Sequence, residues 1–89
     1  MPTISMFYGI MISIFYGEIK LHDKPHIHAR YQDFKVSICI ETGDVLAGKF
    51  PPKKLKLVLA WVEIHHDELL ADWDITQSGE EPFRITPLQ

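Results

Sequence analysis

Two alternating stretches separated by only two residues, His26 to Tyr31 (HIHARY) and Phe34 to Ile40 (FKVSICI), constrain this chain more than any other feature. Side chains two apart on a strand share a face, so each stretch has one apolar side and one polar side. With Gln32-Asp33 as the connection, pairing Tyr31 with Phe34 sets Ala29 opposite Val36 and Ile27 opposite Ile38. The other side then pairs Arg30 with Lys35, His28 with Ser37 and His26 with Cys39. Both faces are chemically uniform in this register, and a slip of one residue would mix them. The pattern predicts an antiparallel hairpin, although Gln32-Asp33 lacks the glycine that a tight primed turn prefers.

The flanking segments extend this hairpin. Ile10 to Tyr16 (IMISIFY) is rich in β-branched and aromatic residues and bounded by Gly9 and Gly17, which reads as a strand covered on both faces. A polar connection over residues 18–25 ends in Pro25, which biases Lys24 toward extended backbone. Glu41-Thr-Gly-Asp44 is a turn signal, after which Val45 to Gly48 can return as a short strand. Pro51-Pro52 suits a helix start, and Lys53 to Gln77 contains no glycine or proline before Gly79 supplies a stop. One straight helix of that length would run roughly 37 Å, against a radius of gyration of about 12 Å for such a chain, so it must overhang or bend. The tail, Glu80 to Gln89, holds a β-like piece, Phe83-Arg-Ile85, able to lie along the body. The expected fold is α+β: one domain over residues 1–89, an antiparallel meander of three to four strands with one long helix packed on one face.

At 89 residues a single core only just offsets conformational entropy, so oligomerisation would help. A composition of 46% hydrophobic and 24% charged residues excludes disorder. The longest apolar run is too short to span a bilayer. A net charge of -3 argues against non-specific coating of nucleic acid and leaves room for a local basic patch. One cysteine, Cys39, and no secretory leader pattern read as cytoplasmic.

Placed at about 100° per residue, Leu55, Val58, Leu59, Val62, His66, Leu69, Leu70 and Trp73 form one stripe that suits the sheet. Leu57, Ala60, Trp61, Ile64, Ala71 and Ile75 cluster on the opposite side. Either tail residues such as Phe83 and Ile85 cover this second stripe, or a second chain does. Lys53, Lys54 and Lys56 near the helix start, and Asp67, Glu68, Asp72 and Asp74 near its end, oppose the helix dipole by a few tenths of a kcal/mol each. Two such helices paired antiparallel would match basic half to acidic half. Leu57, Trp61 and Ile64 with Lys53, Lys54 and Asp72 are therefore the expected partner interface. Alternatively the lysines, with Lys49, hold an anion at the helix start, or form a solvated surface.

The histidine side of the hairpin admits several chemistries. His26, His28 and Cys39, with His22 from the preceding loop, have the residue types of a zinc site, but the facing cations Arg30 and Lys35 raise the cost of a dication. The expectation is no metal and no cofactor. Two imidazoles beside two cations are also the inventory of metal-free RNA cleavage, with His26 and His28 as acid and base. A third reading is an anion-binding surface made of Arg30, Lys35, His26 and His28, contacting an acidic or nucleic-acid partner. The plainest is a solvated sheet face, against which stands the repulsion of like charges placed opposite each other. His66, in the main stripe, reads as a partly buried histidine with a hydrogen-bond partner.

The segments PTISMFYGIMISIFY, KPHIHARY, IETGDVLAGKFPPKKLKLVLAWVEIHHDELLADW and EEPFRITPL resemble the domain-of-unknown-function 4160 family of short bacterial proteins. The family's most typical element is a proline followed by His-aromatic-His-Ala. Pro25, His26, His28 and Ala29 match it, while Ile27 stands where the family usually has Phe. Members are often encoded beside a second short family, so the resemblance implies one component of a two-gene, toxin–antitoxin-like or regulatory module. The partner would be another copy of the chain or the neighbouring gene's product. The resemblance implies no particular activity.

Overall fold

The computed structural model describes residues 3–15 and 24–89; among them five strands form one antiparallel sheet, followed by two helices. The strands β1 (Thr3–Phe7), β2 (Ile10–Ser13), β3 (His26–Tyr31), β4 (Phe34–Cys39) and β5 (Val45–Lys49) lie in sequence order. The central hairpin has the expected register, from Tyr31 opposite Phe34 to His26 opposite Cys39. Gln32 takes the left-handed conformation that a glycine would otherwise supply, at φ 53°.

The sheet exceeds the expected three to four strands because of β1. Tyr8 and Gly9 both have positive φ, 51° and 78°, as the tight turns between twisted antiparallel strands require. Gly9, which bounds β2 as expected, is thus also the second residue of a turn joining it to β1. The strand expected to run to Tyr16 ends at Ser13: Ile14 and Phe15 lie beyond β2, and Tyr16 is outside the described residues.

The single long helix is also corrected. The chain forms α1 (Pro52–Ile64) and α2 (His66–Gln77), separated at His65, whose φ and ψ of -105° and 24° are not helical. The molecule's longest dimension is 33 Å, shorter than the roughly 37 Å of an unbroken helix. Breaking the helix also changes the electrostatics. Asp67 and Glu68 now lie in the first turn of α2, where the positive helix terminus favours carboxylates. Glu68 Oε1 is 2.6 Å from His65 Nδ1. Of the four carboxylates expected near the helix end, Asp72 and Asp74 remain toward a C-terminal end, where the break also puts Glu63 for α1.

The apolar sheet face, including Ile10, Ile12, Ile27, Ala29, Val36 and Ile38, joins one core with Val58, Trp61 and Val62 of α1 and Leu69 and Trp73 of α2. The tail covers Trp61 of the second stripe of α1, through Ile85 and Thr86 and not through Phe83, which is exposed along with Ala60 and Ile64. Ile85 is buried and donates its N–H to Ile4 O at 2.8 Å. Trp61 is fully buried, packs on Phe7 with ring centroids 5.4 Å apart, and donates Nε1–H to Thr86 O at 2.8 Å. Trp61 and Asp72, expected at a partner interface, are therefore inside this chain, and Leu57 packs against the core. Ile64 and Lys53 remain exposed. Among the described residues no helix is long and apolar enough to cross a membrane.

Candidate functional site

Strand alternation and register determine what the other sheet face displays. Met11, Arg30, Lys35 and Lys49 are successive cross-strand partners from β2 to β5, and Ser13, His28, Ser37 and Ala47 form the next row. Lys35 thus has a cation directly across from it on each side. Arg30, Lys35 and Lys49 are all exposed. None of the described strands contains an aspartate or glutamate. The ion pairs among the described residues, His65 with Glu68 and His66 with Asp67, lie elsewhere.

Lys49 is the member of this row that reading β5 as ending at Gly48 leaves out. Its place depends on a register shift between Ser37 and Ile38 and on Gly48. Gly48 has φ 92°, and a Cβ there would stand 2.2 Å from Lys35 O. A glycine in a short strand marks such close backbone approach, which is the signal that could have aligned Lys49 with Lys35.

The two histidines of the strand share a face but not an environment. His28 is half-buried, its Nδ1 hydrogen-bonded with Ser37 Oγ at 3.2 Å and its ring 4.3 Å from that of Phe15. It lines two shallow depressions together with Lys35. One, of about 160 Å³, is completed by Met11, Ser13, Phe15 and Arg30. The other, of about 260 Å³, is completed by Ser37, Ala47 and Gly48. Their walls are mainly apolar, with Lys35 among the lining residues of both and Arg30 of the first. His26 is instead fully buried. Its Nδ1–H donates to Lys24 O at 2.8 Å, and its ring lies 4.9 Å from Trp73 and 5.3 Å from His28. The expected solvated histidine pair is therefore corrected at His26, because the turn at His65 lets α2 bring Trp73 to the start of β3.

Of the residue types that could hold a metal, His26 and Cys39 are cross-strand partners and both buried, while His22 lies outside the described residues. No three His, Cys, Asp or Glu side chains among the described residues are grouped as metal ligands would be. His65, not His66, is the more buried of the helix histidines, with 14% against 41% of its side chain exposed, and it packs on Trp61 at 5.3 Å. Asp72, on α2, faces the tail. Burial pushes its carboxyl above the ordinary value; the Phe83 N–H, 3.0 Å from Oδ1, opposes the rise, and the Glu68 charge adds to it.

A family model described as Domain of unknown function (DUF4160) matches residues 9–74. The chain belongs to this family. The DUF4160 span begins at Gly9 in the β1–β2 turn and ends in α2, so it includes Arg30, Lys35, Lys49 and His28 and omits β1 and the tail. No curated protein and no solved structure matches the chain.

Proposed function

We propose that this protein is a small non-enzymatic interaction protein, one component of a regulatory or toxin–antitoxin-like module, and that its histidine face holds an anionic group of its partner. The observation that supports this reading is the row Arg30, Lys35, Lys49: three exposed cations as direct cross-strand neighbours on strands that carry no carboxylate. Like charges placed opposite one another destabilise a sheet. An anion reverses the sign of that interaction, so the arrangement is favourable only when occupied. Ser37 holds the His28 ring beside this row.

Binding is favoured over RNA cleavage because acid–base cleavage needs two proton-transfer groups at the substrate. His26 is enclosed by Trp73 and holds Lys24 O, leaving His28 alone in reach of the depressions.

Titrating the ¹⁵N-labelled protein with inorganic phosphate tests the reading. Amide resonances of Arg30, Lys35 and Lys49 should shift in a saturable way, and the effect should weaken with added salt and vanish in Lys35→Glu. Saturable shifts confined to other regions, or none up to tens of millimolar phosphate, would remove the proposal.

A further inference from the structure

We infer that the basic end of the sheet is a single-stranded nucleic-acid site, with backbone phosphates on Arg30, Lys35 and Lys49 and unstacked bases on Tyr8 and Phe34. This rests on the anion-holding reading above and names its ligand class. The antiparallel meander brings the β1–β2 turn, the β3–β4 turn, the last residue of β5 and the start of α1 to one end of the molecule. That end contains Arg30, Lys35, Lys49, Lys53, Lys54 and Lys56, six of the nine Lys and Arg residues of the chain. Lys54 fastens the helix start to the sheet there: its Nζ is 3.5 Å from Tyr8 O and 5.0 Å from the Tyr31 ring centroid. Among the described residues Asp33 is the one carboxylate at this end. Within a molecule of net charge -3 this end is therefore a basic approach for a polyanion.

The aromatic residues decide between kinds of polyanion. Tyr8 and Phe34 are 55% and 43% exposed at the two turns of this end. Phe34, paired with Tyr31 and alternating with Val36, is on the helix side of the sheet near Lys54 and across the sheet end from Lys35, so a nucleic-acid strand reaches both by passing over that end. Acidic protein segments satisfy cations but offer no flat rings to stack on Tyr8 and Phe34. Bases of a single strand do, and cationic tracks flanked by aromatic platforms are the general solution for binding it. Duplex hides its base faces in the helical stack. The cation row crosses three strands, about 10 Å at ordinary strand spacing, which suits a repeating anion better than a lone one. The apolar depression beside Arg30 and Lys35, walled by Met11 and Phe15, gives a base edge room next to the phosphate track.

Fluorescence anisotropy with labelled single strands of about twelve nucleotides, DNA and RNA, tests this against the matching duplex and against poly-glutamate. The single strand should bind tightest, with an affinity that falls steeply with salt. Lys35→Glu should weaken binding at least about ten-fold. Tyr8→Asn, chosen because asparagine tolerates positive φ, and Phe34→Thr should each weaken it roughly five- to ten-fold while the amide spectrum stays folded. Binding no tighter than poly-glutamate, or affinity unchanged in both aromatic variants, overturns the inference. Should phosphate shift Lys35 in the titration above while no single strand binds, the nucleic-acid assignment fails and the anion-holding face stands. Should neither bind, both fail.

Discussion

Gly48 is where the binding face depends on a missing side chain. Its φ of 92° and the 2.2 Å separation between a built Cβ and Lys35 O mean that alanine must both strain its own backbone and push β5 from β4. Gly48→Ala should cost about 3 kcal/mol, overpacking and left-handed strain together. Gly43→Ala, also at positive φ but with open space around it, should cost roughly 1 kcal/mol. Urea unfolding of both variants checks this, and equal costs would contradict it. Asp72 carries a pH dependence whose sign is fixed. Burial, with the Glu68 charge adding and the Phe83 N–H opposing, raises its carboxyl pKa above 3.8, so the folded state binds the proton more tightly than the unfolded state. Its contribution to stability is present below the unfolded value and lost as pH rises through the folded one. Asp72→Asn, which keeps an oxygen for Phe83, should flatten that decline on the alkaline side of the ordinary aspartate value; an unchanged slope in pH-resolved unfolding would count against it. Single residues were unevenly legible in the sequence. The β3–β4 pairs followed from alternation because both faces were uniform, whereas the burial of His26 depended on Trp73, 47 positions away, which no local pattern encodes.

The helices and the tail show why the elements were harder to read than the hairpin. Nothing between Lys53 and Gln77 breaks a helix by propensity, so the interruption at His65 had no glycine or proline to announce it. It is a tertiary choice: α1 lies under the tail with Trp61 on Phe7, while α2 turns so that Trp73 meets His26. The acidic His65-His66-Asp67-Glu68 junction was the available clue, since Asp67 and Glu68 are poorly placed deep in one helix and well placed at the start of a second. Similarly, the second apolar stripe of α1 was legible, and the choice of what covers Trp61 lay in the tail's own hydrogen bonds to Ile4 and from Trp61. Ile85→Ala should therefore destabilise the protein by about 2–3 kcal/mol, comparable to a truncation inside the core. Trp61→Glu should unfold the chain, since it buries an unpaired charge. Thermal melts decide both, and a folded Trp61→Glu variant with native stability would mean that the tail and α1 do not enclose this residue.

Across the molecule, charge is sorted as thoroughly as hydrophobicity. Among the described residues, carboxylates occupy the helices, the turns and the tail, while the strands carry only cations among their charged residues. Such sorting has a stability cost. Lys35 faces Arg30 on one side and Lys49 on the other, and each like-charged cross-strand contact is unfavourable by a few tenths of a kcal/mol. A site shaped for a ligand commonly retains residues that weaken the empty fold. Replacing Lys35 by threonine, which suits a strand and removes both repulsions, should stabilise the free protein by about 0.5–1 kcal/mol at low ionic strength. The advantage should shrink near 1 M salt, where the screening length falls to about 3 Å. The same variant should lose its phosphate response, so stability and binding move in opposite directions. A neutral or destabilising Lys35→Thr at low salt would show that the cation row is under no repulsion, and the argument from that repulsion to an anionic ligand would fail with it.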